Sequence, residues 1–391
     1  MIDWKILSDQ QRKIITDIES SSAHCLWVNG FSGTGKTFVL IFIIKRFLKF
    51  SNGTACFVTF TNALRDLVEQ SFKDTEKNRV KILNLYQFKL ENNTYDIIAL
   101  DEVQDATFME VNLANKRAKK KLIIGGDLDQ RIYENKISNG ELLSLVEGHQ
   151  FYLQKVYRLT EKVKRIAHSV YPNSKLLAAD YPTNIMSLKK GSDVYLFKAQ
   201  SEEDEVRNVI AIARNKYSPS YPCAILLPSH RVIKRFCNIC AIVEGRELDI
   251  SYEENINLYY SNFNRISMDT GWDIQYFGNG FGSIVDSDIK SKIYIMTYHS
   301  AKGLDFNTVF LPFLDKYILD AVLFTYAKKE PDMDKRLLYV TLTRTRFDLI
   351  LSYHSQLSGI LNGIKNNKLV REMSFALNGS HDNEETDDDL F

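Results

Sequence analysis

Gly30-Phe31-Ser32-Gly33-Thr34-Gly35-Lys36-Thr37 reproduces the spacing G-x-x-x-x-G-K-[ST] in full. Each residue type has a task there. Glycines let the backbone curl until its N–H groups face a phosphate chain. A following helix points its positive end at the same place. Lys36 brings a point charge to the β- and γ-phosphates, and the Thr37 hydroxyl suits Mg²⁺. Ile97 to Leu100 is an apolar run ending in Asp101-Glu102. Paired with such a loop, Asp101 is expected to hold Mg²⁺, and Glu102 to orient and deprotonate an attacking water. A nucleoside triphosphatase, with ATP as the expected nucleotide, is the chemistry these residues fit.

The elements that must hold them are legible as rhythm. His24 to Asn29 reads as a buried strand and Lys36 to Phe50 as a helix apolar on most faces. Ala55 to Phe60, Tyr95 to Leu100 and Lys121 to Ile124 read as strands. A second series follows at Val194 to Lys198, Ala224 to Leu227, Ile293 to Tyr298, Val309 to Phe313 and Leu349 to Tyr353. Helices at Glu202 to Lys216 and His230 to Val243 separate some of these. Strands alternating with helices predict parallel sheets, so two α/β domains are expected, dividing between Thr160 and Leu188. Arg246 to Ser291 is rich in Asn, Asp and Gly and is left unassigned.

Composition bounds the rest. The 391 residues are 45% hydrophobic and 25% charged, an ordinary balance for a chain with two cores. The longest apolar run, Phe38 to Ile44, is far shorter than the ~20 residues that cross a bilayer. No signal peptide is read at the start, and five cysteines do not form a disulfide framework, so a cytoplasmic location is expected. The formal charge of +1 hides an acidic end: Ser380 to Phe391 carries six acids and no Lys or Arg, leaving +7 on the body. That excess is compatible with a polyanionic partner.

Asp101-Glu102-Val103-Gln104-Asp105 resembles the DExQD box of superfamily 1 helicases, and similar motifs follow in order across Leu7 to Tyr353. Leu7-Ser8-Asp9-Gln10-Gln11 looks like the adenine-reading Q motif, with Gln11 as reader. Thr59-Phe60-Thr61-Asn62 resembles motif Ia. Gly126 to Tyr133 looks like motif III, with Gln130 as γ-phosphate sensor. Val156-Tyr157-Arg158 resembles motif IV, where Tyr157 would stack on adenine and Arg158 reach the γ-phosphate. Thr297 to Phe306 looks like motif V and Arg336 to Arg346 like motif VI, with Arg344 as arginine finger.

This is the pattern of the UvrD/Rep branch. The resemblance implies two tandem RecA-like domains, residues 1–160 and 161–379, with the ATP site in the cleft between them. The catalytic set it implies is Lys36, Asp101, Glu102, Gln130, Arg158 and Arg344. Cofactor contacts are Gln11, Gly30, Ser32, Gly33, Thr34, Gly35, Lys36, Thr37, Tyr157, Gly303 and Asp305, with Thr37 and Asp101 on the metal. Single-stranded DNA would meet Phe60, Thr61, Asn62, Tyr133, Tyr298 and His299. The implied activity is ATP-dependent translocation on that strand, 3′ to 5′, with unwinding, in DNA repair, replication or antiphage defence. A nucleotide-switched DNA-sensing subunit of a larger nuclease or defence complex, and an RNA-directed enzyme of the same fold, stand as alternatives.

The chain also departs from that family. Asn62 to Asp101 and Arg158 to Thr297 leave little room for the two large insertions that grip duplex, so a near-minimal motor core is expected. Tyr133 is followed by Glu134-Asn135-Lys136 rather than the family's Arg-Trp, and Phe38 stands where Arg is frequent. Lys116-Arg117-Ala118-Lys119-Lys120-Lys121 is read as capping a solvated helix. Cys237-Asn238-Ile239-Cys240 is read as buried packing, since no second pair accompanies it. The tail 380–391 is expected to be disordered. Ending Leu390-Phe391 after an acidic run, it is read as a solubilising tail, a docking tip for a protein partner or an autoinhibitory strap.

Overall fold

The computed structural model describes residues 4–181, 193–218, 221–248, 254–278, 281 and 293–373, without the side chains of Lys5 and Ala63. The acidic tail and its terminal Leu390-Phe391 lie outside the described residues.

Two all-parallel sheets carry the chain. The strands of the first are β1 (Cys25–Gly30), β2 (Ala55–Thr59), β3 (Val80–Asn84), β4 (Tyr95–Leu100), β5 (Ala118–Gly126) and β6 (Gln150–Leu153), in the order β3-β2-β4-β5-β1-β6. The second holds β7 (Val194–Lys198), β8 (Cys223–Leu227), β9 (Ile274–Tyr276), β10 (Ile293–Thr297), β11 (Phe306–Leu311), β12 (Thr345–Tyr353) and β13 (Val370–Glu372), in the order β13-β7-β12-β11-β8-β10-β9. Parallel strands need crossovers, which bury both faces of each sheet. Ala55-Cys56-Phe57-Val58 and Cys223 to Leu227 are accordingly apolar without alternation and buried throughout.

The helices of the first half are α1 (Asp9–Ser20), which precedes β1, and the connections α2 (Lys36–Phe50), α3 (Asn62–Gln70), α4 (Asp74–Lys77), α5 (Leu85–Leu90), α6 (Phe108–Arg117) and α7 (Asn139–Val146). The second half has α8 (Glu161–Val170), α9 (Glu202–Lys216), α10 (His230–Val243), α11 (Ile256–Asp269), α12 (Ala321–Ala327), α13 (Met333–Leu342) and α14 (Asn362–Lys365). Helix α2 is apolar nearly all round because the sheet core takes one side and α1 covers part of the other; Val39, Leu40 and Ile44 are fully buried with Ile15 and Ile18. The first sheet ends at Leu153, and α8 joins the core of the second through Val163, Ile166 and Ala167.

Three local readings are corrected. The strand expected at Lys121–Ile124 runs from Ala118 to Gly126, so Lys119, Lys120 and Lys121 open β5 instead of capping a helix. They are tied down locally: Lys120 pairs with Asp96 at 3.1 Å, and Lys121 Nζ donates to the Ile18 carbonyl at 2.5 Å. The strand expected at Val309–Phe313 runs from Phe306 to Leu311, and Phe313 adopts a left-handed φ of 60°. The unassigned stretch supplies α11 and β9, which extend the second sheet. Cys237 and Cys240 are buried on α10, and burial pushes both thiols up, as packing residues should behave.

Candidate nucleotide site and nucleic-acid groove

Strand β1 lies between β5 and the edge strand β6, so the loop after it emerges at the C-terminal end of the sheet, one strand in from that edge. Gly33 and Gly35 hold φ of 79° and 84°, a region costly to residues with a Cβ. At Gly33 space forbids one as well, since a Cβ would sit 2.9 Å from Arg158 Cβ, while one on Gly35 would press on the end of the Gln11 side chain at 2.8 Å. The loop is therefore clasped between the Q-motif helix α1 and the linker to the second domain.

Lys36 Nζ donates to the carbonyls of Gly30 (2.7 Å) and Phe31 (3.1 Å). Burial lowers its pKa, and Asp127, Glu102 and Asp101 oppose that. Thr37 Oγ1 donates to Asp101 Oδ2 at 2.5 Å, so the two residues read as metal ligands stand together. Burial, reinforced by the Glu102 charge, raises Asp101 to about 7, an environment that calls for a cation. Glu102 is different. Burial would raise it, yet Lys302, Lys36 and Arg344 hold it below its ordinary value, so it stays a carboxylate and a competent base. Its backbone φ of 52° is left-handed, a strain retained beside the reacting group. Gln104 fixes it: Nε2 donates to Glu102 Oε2, while Oε1 accepts the Asp127 N–H at 3.0 Å.

The second domain closes over this edge. Arg158 Nη2 and Arg344 Nη2 both donate to Ser32 Oγ, at 2.8 and 3.1 Å. Arg344 Nη2 also reaches Gln130 Oε1 at 3.1 Å, and Gln130 Nε2 reaches Asp127 Oδ2 at 2.7 Å. Burial and the neighbouring Arg158 charge push the Arg344 guanidinium down to about 9. Two crowded guanidiniums beside a glycine loop describe a site built for an anion. The cleft of about 370 Å³ is lined by Ser32, Gly33, Gly35, Lys36, Thr37, Glu102, Gln130, Arg158, Gly303, Asp305 and Arg344. Phe38, Leu64 and Leu67 form an apolar wall, and Arg346, ion-paired with Asp305, adds a third arginine.

Gln11, Tyr157 and Thr34 stand against the loop but do not line the cleft. Gln11 Oε1 accepts the Ser8 N–H at 3.0 Å, closing the cap of α1, and its Nε2 donates to the Thr34 carbonyl at 3.1 Å. The Tyr157 N–H donates to the Gly33 carbonyl at 2.9 Å. Thr34 Oγ1 turns inward to the Phe31 carbonyl at 2.9 Å, and Gly30 sits at the loop's base.

A groove on the far side of Glu102 crosses both domains. One part, about 150 Å³, is lined by Phe60, Thr61, Glu102, Asp105, Tyr133, Lys136 and Lys302. The next, about 290 Å³, is lined by Tyr133, His299, Tyr326 and Lys329. The His299 ring lies 5.8 Å from Tyr133 and 5.1 Å from Tyr326, three flat faces on one surface. Burial and the Lys302 charge take His299 down to about 4, so it is a neutral ring at physiological pH. Thr61 caps α3, and Asn62 Oδ1 accepts from Asn84 Nδ2 at 2.8 Å.

Tyr298 is a correction. Its N–H donates to the Leu227 carbonyl at 3.0 Å, which continues the ladder beyond β10 and turns the ring into the core, where it is fully buried. Alternation then leaves His299 on the outer face. Sequence reasoning also passed over Lys302, whose Nζ joins the domains by reaching Asp105 Oδ2 and the Gln130 carbonyl, both at 2.6 Å. Tyr326, on α12 outside every quoted motif, carried no sequence signal. Gln104 and Lys302 lay inside quoted motifs without a role.

Two family models match the chain. One, described as the UvrD-like helicase C-terminal domain, covers residues 281–356; the other, type III restriction enzyme res subunit, covers residues 5–168. A probable DNA helicase II homolog of Mycoplasma capricolum subsp. capricolum is 25% identical over 280 residues, 68% of this chain and 37% of that protein. The ATP-dependent DNA helicase srs2 of Schizosaccharomyces pombe is 35% identical over 89 residues, 22% of this chain and 10% of that protein. The chain thus spans about a third or less of the length of these curated relatives. Among solved structures, the arterivirus nonstructural protein 10 helicase aligns with 90% of this chain and 64% of its own, at 14% identity and a TM-score of 0.43.

Proposed function

The chain belongs to the UvrD/Rep-like family of superfamily 1 helicases, and from that premise we propose that it hydrolyses ATP to move along single-stranded DNA, 3′ to 5′. The observation that carries this reading is the pair Arg158 and Arg344, which meet on Ser32 of the phosphate loop. Anion recognition in the cleft is thereby tied to domain closure.

The residues fit ATP and Mg²⁺. The glycine loop has no space for a Cβ at Gly33 and holds a left-handed φ at Gly33 and Gly35, and Thr37 and Asp101 are already in contact. Lys36 and the loop amides would hold the phosphates, and Thr37 and Asp101 the metal. Bound there, Mg²⁺ supplies positive charge to the β- and γ-oxygens. Glu102, held ionised and aimed by Gln104, orients water and accepts its proton. Gln130 and the two arginines stabilise the charge that spreads over the transferred group. Lys302 shares Asp105 with the groove and the Gln130 carbonyl with the cleft, giving strand occupancy a route to the γ-phosphate sensor. Tyr133, His299 and Tyr326 offer stacking faces for bases, in place of the family's tryptophan.

A second reading, a DNA-sensing ATPase subunit without processive unwinding, is favoured by one observation. Between Asn62 and Asp101 only α3, α4, β3, α5 and β4 are present, with no duplex-gripping insertion. Among the described residues no helix is long and apolar enough to cross a membrane, and all five cysteines are free and buried; a cytoplasmic site of action is part of the proposal. ATPase assays with single-stranded DNA, single-stranded RNA or neither test the partner, and strand displacement on a 3′-tailed duplex tests unwinding. Stimulation by RNA alone would redirect the assignment.

A further inference from the structure

Two deeply buried carboxylates converge at the end of the second sheet opposite the nucleotide cleft. Glu205 lies in the first turn of α9, Asp315 just after β11 and His354 just after β12. Strand β12 separates Arg344 from His354, so the cluster stands roughly 30 Å from the arginine finger at ~3.3 Å per residue.

Glu205 has one oxygen pinned and one presented, and Asp315 is held mainly through Oδ1, with Oδ2 accepting only a long 3.4 Å contact from the His354 N–H. Glu205 Oε1 accepts the Phe313 N–H (2.8 Å) and the Ser352 hydroxyl (2.6 Å). Asp315 Oδ1 accepts the Ser355 N–H (2.6 Å) and its hydroxyl (2.8 Å). Phe313 itself holds a left-handed φ of 60°. The two remaining oxygens meet at one point: His354 Nδ1 lies 2.6 Å from Glu205 Oε2 and 3.2 Å from Asp315 Oδ2. Outer partners that fix orientation while leaving one donor atom per residue aimed at a shared centre are what a metal shell requires.

Charge points the same way. Glu205 and Asp315 are 0% and 1% exposed, and among the described residues neither forms an ion pair with Lys or Arg. Glu202 and Glu203 on the same turn of α9 add negative charge, with Arg235 engaged by Glu202. Two ionised carboxylates and one neutral imidazole would balance a single divalent ion.

We propose that Glu205, Asp315 and His354 bind one divalent transition-metal ion of the zinc type, clamping the start of α9 to the ends of β11 and β12. One imidazole and two carboxylates, with donor atoms all within 4.8 Å of one another, suit Zn²⁺. Mg²⁺ prefers an all-oxygen octahedron. Water would complete the fourth position on the His354 side, where the side chain is 16% exposed.

The test is titration of the nucleotide-free, chelator-stripped full chain with Co²⁺, read by visible d–d absorption, and with Zn²⁺, read by thermal unfolding. One Co²⁺ per chain is expected, without thiolate charge-transfer bands, together with a rise in Tm on adding Zn²⁺. His354→Ala and Asp315→Asn should each lose the absorption and the Tm response. An absent Co²⁺ spectrum overturns the proposal, as does a thiolate signature, which would place the ion on cysteine. Binding retained in both variants also overturns it. Should one variant fail to fold, the other and the wild-type spectrum still decide.

Discussion

Replacing Arg344 with lysine keeps the charge and removes the fork. Arg344 uses its whole guanidinium: Nε donates to the Val340 carbonyl (2.8 Å), Nη1 to the Leu304 carbonyl (3.3 Å) and Nη2 to Ser32 and Gln130 (both 3.1 Å). A lysine ammonium is one compact donor centre and cannot serve the anchoring carbonyls and the cleft together. The two donor directions that reach Ser32 and Gln130 are those a γ-phosphate would take over, and charged hydrogen bonds of about 1.5–3 kcal/mol each made to it in the transition state would sum to about 3–6 kcal/mol. An arginine finger is worth about 10³–10⁵ in kcat, or about 4–7 kcal/mol. The two routes agree, and Arg344→Lys should lower DNA-stimulated kcat by about a thousandfold or more, with KM for ATP changing far less. Steady-state phosphate release measures both, with circular dichroism as a fold control. A lysine variant within tenfold of wild-type kcat would refute the reasoning, because the fork geometry would then be dispensable.

Glu102→Gln should bind ATP normally but turn over about 10²–10⁴-fold more slowly, measured by fluorescent-nucleotide titration beside phosphate release; wild-type turnover would remove Glu102 as base. Lys302→Met strands a buried Asp105 carboxylate and should cost about 3–5 kcal/mol of stability, while Lys302→Met with Asp105→Leu should recover part of it; denaturant unfolding checks both. Tyr326→Ala should weaken oligonucleotide binding by about 1–3 kcal/mol through lost stacking while leaving DNA-independent ATPase unchanged; fluorescence anisotropy with unaltered affinity would remove that ring from the groove.

The nucleotide site was the most legible part of the chain, because backbone geometry dictates residue type there. A loop that needs φ near 80° at Gly33 and Gly35 and a charge at Lys36 leaves few alternatives. The parallel sheets were legible for a related reason: strands buried on both faces read as unbroken apolar runs. What was missed depends on distance in sequence. Lys302 and Asp105 pair across nearly two hundred positions, and nothing local in either announces the other. Tyr298 and His299 are adjacent and aromatic, so type alone could not say which faces the core; the Tyr298 N–H bond to the Leu227 carbonyl just past β10 goes with the ring that is buried. Helix α11 was hidden by its Asn-rich composition, although Tyr259, Tyr260 and Phe263 bury one face.

The proposed activity is hydrolysis of ATP in the cleft under the control of a bound strand. ATP turnover by the full chain with and without a defined single-stranded DNA, beside Lys36→Ala, tests it most directly. The prediction is slow basal turnover, strong stimulation by the oligonucleotide, and loss of both in Lys36→Ala. Turnover that persists in Lys36→Ala, or that ignores every nucleic acid offered, would contradict it.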